Sequence, residues 1–242
     1  MERTYNKIEK IEEEVKIIFS NNDKIISSKT EEKINEIIDK EIGKKILVST
    51  IIKKYKNLNQ KSSIIDGLIY QKVIETKESE FTNELILNLP KGIIYLEESM
   101  SINYQPLQDL LIKKSFQEAD KLTQQYLCIL VEQKTMQTKK WLYFTDIQFI
   151  PKYELFKIDL LWRTYSKGKF GFSIQKNIWI KYNKEWDKLW EKIEWLEVTT
   201  GAMKRYPKEF NWTAEAPKGH LPLFNQLRGT QTLCYLFKKI DW

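Results

Sequence analysis

Few side chains in this sequence are of the types that carry enzyme chemistry. His220 is the one histidine, and the two cysteines, Cys128 and Cys234, lie far apart with no Cys-x-x-Cys spacing. Metal sites that need two histidines or paired cysteines are therefore excluded, and no metal site is predicted. Both thiols are predicted to be free, as in a reducing compartment, and Cys128 is predicted to be a buried helix residue.

Carboxylates and glycines give no catalytic pattern either. The neighbouring acids Glu97 and Glu98 belong to a Glu-rich helical surface, and we interpret them as solvated. The glycines of Gly168-Lys-Phe-Gly171 have neither the Walker spacing nor the dinucleotide-binding spacing, and we interpret them as a helix carboxyl cap before the next element. The sequence thus predicts no catalytic residue and no catalytic cofactor, and we expect that the protein is not an enzyme.

One segment instead combines large aromatic side chains with basic ones. Between residues 204 and 228 the two kinds of side chain stand close together: Tyr206, Phe210, Trp212 and Phe224 beside Lys204, Arg205, Lys218 and Arg228. Flat apolar faces next to cations suit a flat apolar ligand with acidic substituents, and they also suit nucleobases with phosphates. The alternative interpretation is that these aromatic residues only pin a long loop onto the core.

The distribution of charge favours an anionic partner for the same half of the chain. Residues 1–100 carry 17 basic and 18 acidic side chains, whereas residues 101–242 carry 23 basic and 15 acidic ones. Such a basic region suits nucleic acid, an anionic membrane surface or a carboxylated small molecule. No apolar run approaches the roughly 20 residues that cross a bilayer. The amino terminus shows neither a secretory signal nor a transit peptide, so the chain is expected to stay where it is made.

The elements that must position this segment fall into two parts. No tryptophan precedes Trp141, and five of the six prolines follow residue 100. We therefore predict a domain of residues 1–90 and a second domain of residues 91–242.

Helical spacing of apolar residues predicts an antiparallel helical bundle in the first domain. The apolar stripes run through residues 8–19, 34–46 and 64–73, the last behind Ser62 or Ser63 as the amino cap. The second stripe either continues past Gly43 or breaks there. The Ile-rich run 46–52 also suits a strand, but its helical flanks favour a helix.

The second domain is predicted to be helical with a long loop. Apolar spacing predicts helices around residues 107–111, 116–130, 155–162 and 186–193, with Ser115 as a plausible cap of the second. From residue 197 to residue 225 the periodicity fades, and long loops of this kind are usually functional. The predicted fold class of the whole chain is all-α.

Two sequence blocks resemble the genomes-uncoupled-four family, the porphyrin-binding activators of magnesium chelatase. These blocks are Ala216-Pro-Lys-Gly-His-Leu-Pro222 and Ser166-Lys-Gly-Lys-Phe-Gly-Phe-Ser-Ile-Gln175. Further similar blocks follow the family order at residues 107–111, 116–123, 141–145, 159–162 and 225–229. The resemblance covers about residues 93–231, and the first domain resembles the amino-terminal bundle of cyanobacterial members.

The resemblance implies a mainly helical core, shaped like a cupped hand, that binds protoporphyrin or magnesium protoporphyrin. On the family pattern the porphyrin-binding positions are Phe144 and Ile147 in an apolar palm, Tyr206 and Phe210 on a mobile loop, and Asn225 and Arg228 at the polar edge of the ligand. At the rim, Lys204, Arg205 and Lys218 are expected to steer the ligand more than to hold it.

The resemblance also implies partners and a location. The porphyrin-handling subunit of magnesium chelatase is the expected protein partner. We further expect peripheral association with a membrane, a monomeric protein and no nucleic-acid partner. An Ile-, Lys- and Asn-rich composition without a transit peptide fits a plastid-encoded protein of the chloroplast or a cytoplasmic cyanobacterial protein.

Three positions depart from the family pattern. Gln124 and Gln231 stand where cyanobacterial members carry basic residues, and Tyr206 replaces a tryptophan. The loss of two cations is expected to weaken propionate binding or to shift ligand preference, so a bilin-binding sensor stays an alternative. The basic charge and the aromatic residues keep a second alternative open, a single-stranded nucleic-acid-binding module.

Two further interpretations concern single side chains. His220 is either an axial magnesium ligand or, as we favour, a brace that holds the loop by hydrogen bonds. The tryptophans at positions 186, 190 and 212 are interpreted as core residues.

Overall fold

The computed structural model describes residues 2–21, 25–56, 62–76, 80–97, 99–197, 199–223 and 229–242. Within these residues the chain forms eleven α-helices and a single 3₁₀ turn, and it forms no β-strand. The all-α prediction is therefore confirmed. The chain divides into two compact units, Met1–Tyr95 and Leu96–Trp242, and the boundary predicted at residue 90 lies shortly before this division.

The described residues of the first unit form five helices. They are α1 (Glu2–Ser20), α2 (Ser28–Ile38), α3 (Glu41–Tyr55), α4 (Ile64–Glu75) and α5 (Glu80–Asn88). Residues 46–52 lie in α3, so the helical interpretation of this run is confirmed. The stripe over residues 34–46 spans the end of α2 and the start of α3. The break between the two helices lies at residues 39–40, before Gly43. A Cβ atom at Gly43 would lie 2.2 Å from the carbonyl oxygen of Ile37, so only glycine fits where the two helices turn.

A capping box starts α4 and ties it to the end of α3. Of the two candidate caps, Ser63 is the one that caps the helix: its hydroxyl accepts a hydrogen bond from the Asp66 N–H at 3.2 Å, and the Asp66 carboxylate accepts one from the Ser63 N–H at 2.9 Å. The same carboxylate accepts hydrogen bonds from Lys54 Nζ at 2.7 Å and from the Tyr55 hydroxyl at 2.6 Å.

In the second unit, the part that the structure describes forms six helices. They are α6 (Gln105–Ile112), α7 (Phe116–Thr135), α8 (Lys152–Thr164), α9 (Phe172–Lys181), α10 (Trp186–Lys192) and α11 (Gly229–Lys239), with the 3₁₀ turn at Ile147–Phe149. Four of these helices, α6, α7, α8 and α10, were predicted. Ser115 occupies the cap position of α7, but its side chain makes no capping hydrogen bond.

The core of the second unit is built from α6, α7 and α8. Its buried apolar side chains include Leu107, Leu111, Leu127, Val131, Leu155, Ile158 and Trp162. The indole N–H of Trp162 donates to the Thr123 hydroxyl at 3.0 Å and so joins α8 to α7. Cys128 is buried in α7, as predicted, and burial raises the pKa of its thiol to about 11. This core supports the loop that connects α10 to α11.

In the described part of the chain, no helix is long and apolar enough to cross a membrane.

Candidate functional site

The turn at residues 166–171 and the loop strip at residues 214–222 lie side by side. The Gly219 N–H donates to the Lys169 carbonyl at 2.8 Å, and the Gly171 N–H donates to the Leu221 carbonyl at 2.9 Å. The Lys169 ammonium adds a bond to the carbonyl of Ala214 at 2.6 Å. Two sequence blocks that are far apart along the chain thus form one hydrogen-bonded frame.

Two glycines of this frame have conformations that other residues rarely adopt. Gly171 has φ +131°, and a Cβ atom there would lie 2.7 Å from Asp159 Oδ1. Gly219 has φ +82°, and its Cβ atom would lie 2.7 Å from Ile178 Cδ1 and 3.0 Å from Ile193 Cγ2. Both the backbone conformation and the space therefore require glycine.

His220 braces the loop from the inside. Its Nε2 accepts a hydrogen bond from the Asn211 N–H at 3.1 Å, so the proton lies on Nδ1, which donates to the Ile193 carbonyl at 2.6 Å. Burial lowers the pKa of this imidazole, which favours the neutral ring. Because both ring nitrogens are used, the geometry supports the brace and leaves no lone pair for an axial metal.

No group of three or more His, Cys, Asp or Glu side chains that would suit a metal ion occurs in the described ranges.

The aromatic side chains of the loop form one cluster, which we call the loop cluster: Tyr206, Phe210, Trp212 and Trp195. Phe210 is half-buried at its centre, with ring centroids 6.1 Å from Trp195 and 6.3 Å from Trp212. The same ring lies 5.6 Å from the imidazole of His220. Tyr206 packs edge-on against Trp212 at 6.0 Å and remains 40% exposed. The loop cluster therefore exposes part of the Tyr206 ring, while the other rings pack against one another.

A row of indole rings continues this cluster through α10 to α9. Neighbouring centroids lie 4.8 to 5.5 Å apart along Trp195, Trp190, Trp186 and Trp179. Trp190 is buried, as predicted for a core residue, whereas Trp186 and Trp212 are only half-buried.

The two expected palm residues lie beside α11. Phe144 is half-buried with its ring 5.4 Å from that of Tyr235, and Ile147 is buried at the start of the 3₁₀ turn. Two residues further along α11, Phe237 packs against Trp179 at 5.6 Å. The helix α11 therefore touches both the palm residues and the row of indoles. No ring contact joins Phe144 directly to the loop cluster among the residues that the structure describes.

The three expected rim cations all belong to the loop between α10 and α11. Lys204 is half-buried, and Arg205 and Lys218 are exposed. None of the three forms an ion pair with a described carboxylate. Although Lys218 is exposed, incomplete solvation of its ammonium group and the charge of Lys181 both lower its pKa, so an anion at this position would stabilise the charged form. The two expected polar-edge residues, Asn225 and Arg228, lie outside the described residues.

A family model described as GUN4-like matches residues 97–240, which is more than half of the chain. The chain belongs to the GUN4-like family. The resemblance inferred from the sequence blocks is therefore confirmed.

Relatives and a solved structure agree with this assignment. This GUN4-like chain is 47% identical over 184 residues to the uncharacterized protein ycf53 of Pyropia yezoensis, covering 76% of each chain. It is 35% identical over 137 residues to a chloroplastic tetrapyrrole-binding protein of Arabidopsis thaliana, covering 54% of this chain and 51% of that one. The structure of GUN4 from Chlamydomonas reinhardtii matches with a TM-score of 0.52 and 33% identity, covering 60% of this chain and 94% of that one.

In this GUN4-like domain, Gln124 forms a hydrogen bond to the backbone of the loop. The side chain is buried, and its amide donates to the carbonyl of Leu223. Asp120, one turn earlier on α7, accepts a hydrogen bond from the Leu223 N–H at 2.7 Å. Gln124 therefore anchors the loop, whereas Gln231 is exposed on α11.

Sequence reasoning gave no role to the buried polar residues that hold the loop. Asp120 and Gln124 fall on the apolar face of α7 that also holds Phe116 and Leu127. Gln175 is likewise buried in α9, and its amide donates to the carbonyls of Gly219 at 3.0 Å and Pro222 at 2.7 Å. A polar side chain on an apolar helix face was the signal that could have found them, because such groups are nearly always hydrogen-bonded.

Proposed function

We propose that this chain binds protoporphyrin and magnesium protoporphyrin and activates magnesium chelatase in chlorophyll biosynthesis, without itself catalysing a reaction. One observation carries the proposal: the GUN4-like domain has a half-exposed loop cluster next to cations that have no described acidic partner. The name of the Arabidopsis thaliana relative supports a tetrapyrrole as the ligand class.

The chemistry of a porphyrin matches these side chains. The ligand is a broad apolar disc with two propionates, so its faces need aromatic and aliphatic surface and its edge needs cations. Burial of apolar surface contributes about 25 cal/mol per Å², part of which is offset by ordering of the loop. A charge-assisted hydrogen bond from Arg228 to a propionate would add about 1.5–3 kcal/mol.

Activation would depend on a partner. We propose that the loop of residues 201–222 opens and closes over the ligand, and that the loaded protein contacts the porphyrin-handling subunit of the chelatase. We further propose a monomer that associates peripherally with a membrane in a plastid or, for a cyanobacterial source, in the cytoplasm. The chloroplastic relative supports the plastid location.

A porphyrin titration tests ligand binding. A water-soluble protoporphyrin analogue is added to the purified chain while tryptophan emission and the Soret band are followed. We expect saturable quenching and a shifted Soret band, because the row of indoles adjoins the loop cluster. Tyr206→Ala should weaken binding about tenfold through loss of stacking surface, since base–aromatic stacking contributes about 1–3 kcal/mol. Phe144→Ala tests the palm in the same way.

The matched control is Tyr153→Ala on α8, since Tyr153 is 55% exposed and lies outside the loop cluster. If both tyrosine variants weakened porphyrin binding equally, the loop would not be part of the binding site. Saturable binding of a bilin but not of porphyrin would establish the bilin-binding alternative. The activator role requires a separate assay, and an unchanged rate of magnesium insertion on adding the porphyrin-loaded protein would refute it.

A further inference from the structure

One face of α11 carries an aromatic ring with a cation above it. Gln231, Tyr235 and Lys238 stand at positions i, i+4 and i+7 of the helix, so they lie on the same face, and all three are exposed. The Lys238 ammonium lies 4.8 Å from the centroid of the Tyr235 ring. The helix buries its other face, which includes Leu233 and Phe237. The exposed face therefore combines an apolar ring with a positive charge.

The Tyr235 ring also contacts an expected palm residue. Its centroid lies 5.4 Å from that of Phe144, and the two ring planes are inclined by 50°. Tyr235 remains 39% exposed in spite of this contact, and Phe144 is half-buried. The 3₁₀ turn that begins at the buried Ile147 packs against the same helix. Uncovered aromatic surface thus continues from the palm onto α11.

The Lys238 ammonium is available to an anion, whereas two neighbouring cations already have polar partners. Lys239 donates to the carbonyl of Gln148 at 2.8 Å, and Lys152 forms an ion pair with Asp241. The Lys238 ammonium forms no ion pair and no hydrogen bond within the described ranges. An exposed contact between a cation and a ring is weaker than a charge-assisted hydrogen bond. A carboxylate would therefore draw the ammonium away from the ring.

We propose that Lys238 binds a propionate of the porphyrin, while the Tyr235 ring, beside Phe144, stacks on the face of the macrocycle. This inference rests on the proposed porphyrin-binding function, and it adds two residues to the site. A carboxylate that recruits the ammonium also uncovers the face of the Tyr235 ring, so the same event frees apolar surface for the macrocycle. Gln231 on the same helix face is uncharged and supplies at most a neutral hydrogen bond.

Two porphyrins that differ only in charge test the role of Lys238 in the full-length chain. One is the water-soluble protoporphyrin analogue, a diacid, and the other is its diamide, in which both propionates are neutral. Lys238→Met keeps an apolar stem and removes the charge. It should weaken binding of the diacid roughly tenfold, as expected for loss of a charge-assisted hydrogen bond, and should leave binding of the diamide within about twofold. Lys238→Arg keeps the charge and should retain tight binding of the diacid.

The variants of Tyr235 should give a different pattern. Tyr235→Ala removes the stacking surface and should weaken binding of the diacid and the diamide alike, roughly tenfold. Tyr235→Phe keeps the ring and should bind both porphyrins as the wild type does. Tyr235→Leu replaces Tyr235→Ala if the latter lacks the helical circular dichroism of the wild type. Unchanged binding of both porphyrins by the variant without the ring would overturn the stacking role.

The matched control is Lys53→Met on α3, because Lys53 is an exposed lysine outside the GUN4-like match. It removes the same charge from the chain and should leave binding of both porphyrins unchanged. Equal weakening by Lys53→Met and Lys238→Met would overturn the proposal, since net charge alone would then explain the loss. Equal loss of diacid and diamide binding in Lys238→Met would overturn it as well, since the lysine would then act through packing.

Two further outcomes separate this inference from the proposed function. If the wild type binds the diacid and Lys238→Met binds it as tightly, this inference alone fails. The same conclusion holds if Lys238→Met only reduces sedimentation with vesicles of phosphatidylglycerol and phosphatidylcholine, because the lysine would then serve a membrane surface. If the wild type binds neither porphyrin, the proposed function fails and this inference fails with it.

Discussion

The Nδ1 atom of His220 lies 2.6 Å from the carbonyl oxygen of Ile193. This bond, together with the bond that Nε2 accepts from the Asn211 N–H at 3.1 Å, ties two other parts of the α10–α11 connection to one neutral ring. The stability of this region should therefore depend on the protonation of a single imidazole.

The first prediction concerns acidification. Burial lowers the pKa of His220 in the folded chain, so the unfolded chain takes up the proton first as the pH falls. The stabilisation is complete above about pH 6.5 and is lost as the pH falls below that value towards the folded pKa. His220→Phe should cost about 2–3 kcal/mol at pH 7.5 through two lost hydrogen bonds, and less at pH 5.5. Urea denaturation at both pH values measures the difference, and a cost that is equal at the two would contradict it.

The second prediction has the opposite sign. Burial raises the pKa of Asp120 to about 7, partly offset by the Leu223 N–H, by Gln124 and by the charge of Lys121. The contribution of this raised pKa to the stability of the folded chain is present below the ordinary carboxyl pKa of about 4 and is lost as the pH rises through about 7. Asp120→Asn is neutral throughout and keeps the acceptor for Leu223. Relative to the wild type, the free energy of unfolding of this variant should rise by about 1–3 kcal/mol from pH 4 to pH 8, as measured by urea denaturation.

The third prediction compares two glycines of the same loop. Gly219 and Gly201 both have positive φ, +82° and +65°, but only at Gly219 would a Cβ atom meet close neighbours. Gly201→Ala should cost about 1 kcal/mol for the backbone conformation alone. Gly219→Ala should cost about 2 kcal/mol more, because the Cβ atom would press against Ile178 and Ile193. Thermal denaturation of both variants measures the difference, and equal costs would show that the frame yields to the extra methyl group.

The fourth prediction concerns domain organisation. We propose that residues 1–90 and 91–242 are separate domains and that the second binds the porphyrin. The GUN4-like match begins at residue 97, and the matched Chlamydomonas reinhardtii structure covers 60% of this chain. A fragment of residues 91–242 should therefore give a helical circular dichroism spectrum and bind porphyrin within about threefold of the full chain. A fragment that fails to fold would show that the amino-terminal unit is part of the same cooperative structure.

Helices with a regular apolar stripe were predictable from the sequence. The spacing of Trp186, Leu189 and Trp190 predicted α10, and a serine at the start of the third stripe predicted the cap of α4. The helices α5, α9 and α11 were not predicted. Packed helices such as α9 bury side chains on more than one side, from Phe172 to Trp179, so a single-face pattern is weak.

The chemical character of the candidate site could also be inferred from the sequence. The density of aromatic and basic side chains around Tyr206 and Phe210 indicated a flat acidic ligand, and the structure brings these rings into one cluster. The sequence did not indicate that Phe144 would pack on Tyr235 of α11, because no local pattern connects residues so far apart.

The sequence by itself determined the fold class and the helices with a regular apolar stripe, because these depend on local spacing and on composition. The family, and the ligand that it implies, came from the resemblance of sequence blocks such as residues 216–222. Only the tertiary structure decided which polar groups meet. Asp120 and the backbone of Leu223 are 103 residues apart, and His220 and Ile193 are 27 apart. Such pairings follow from the packing of helices that bury a common core, and a buried polar group then takes whichever partner the packing brings within hydrogen-bond distance.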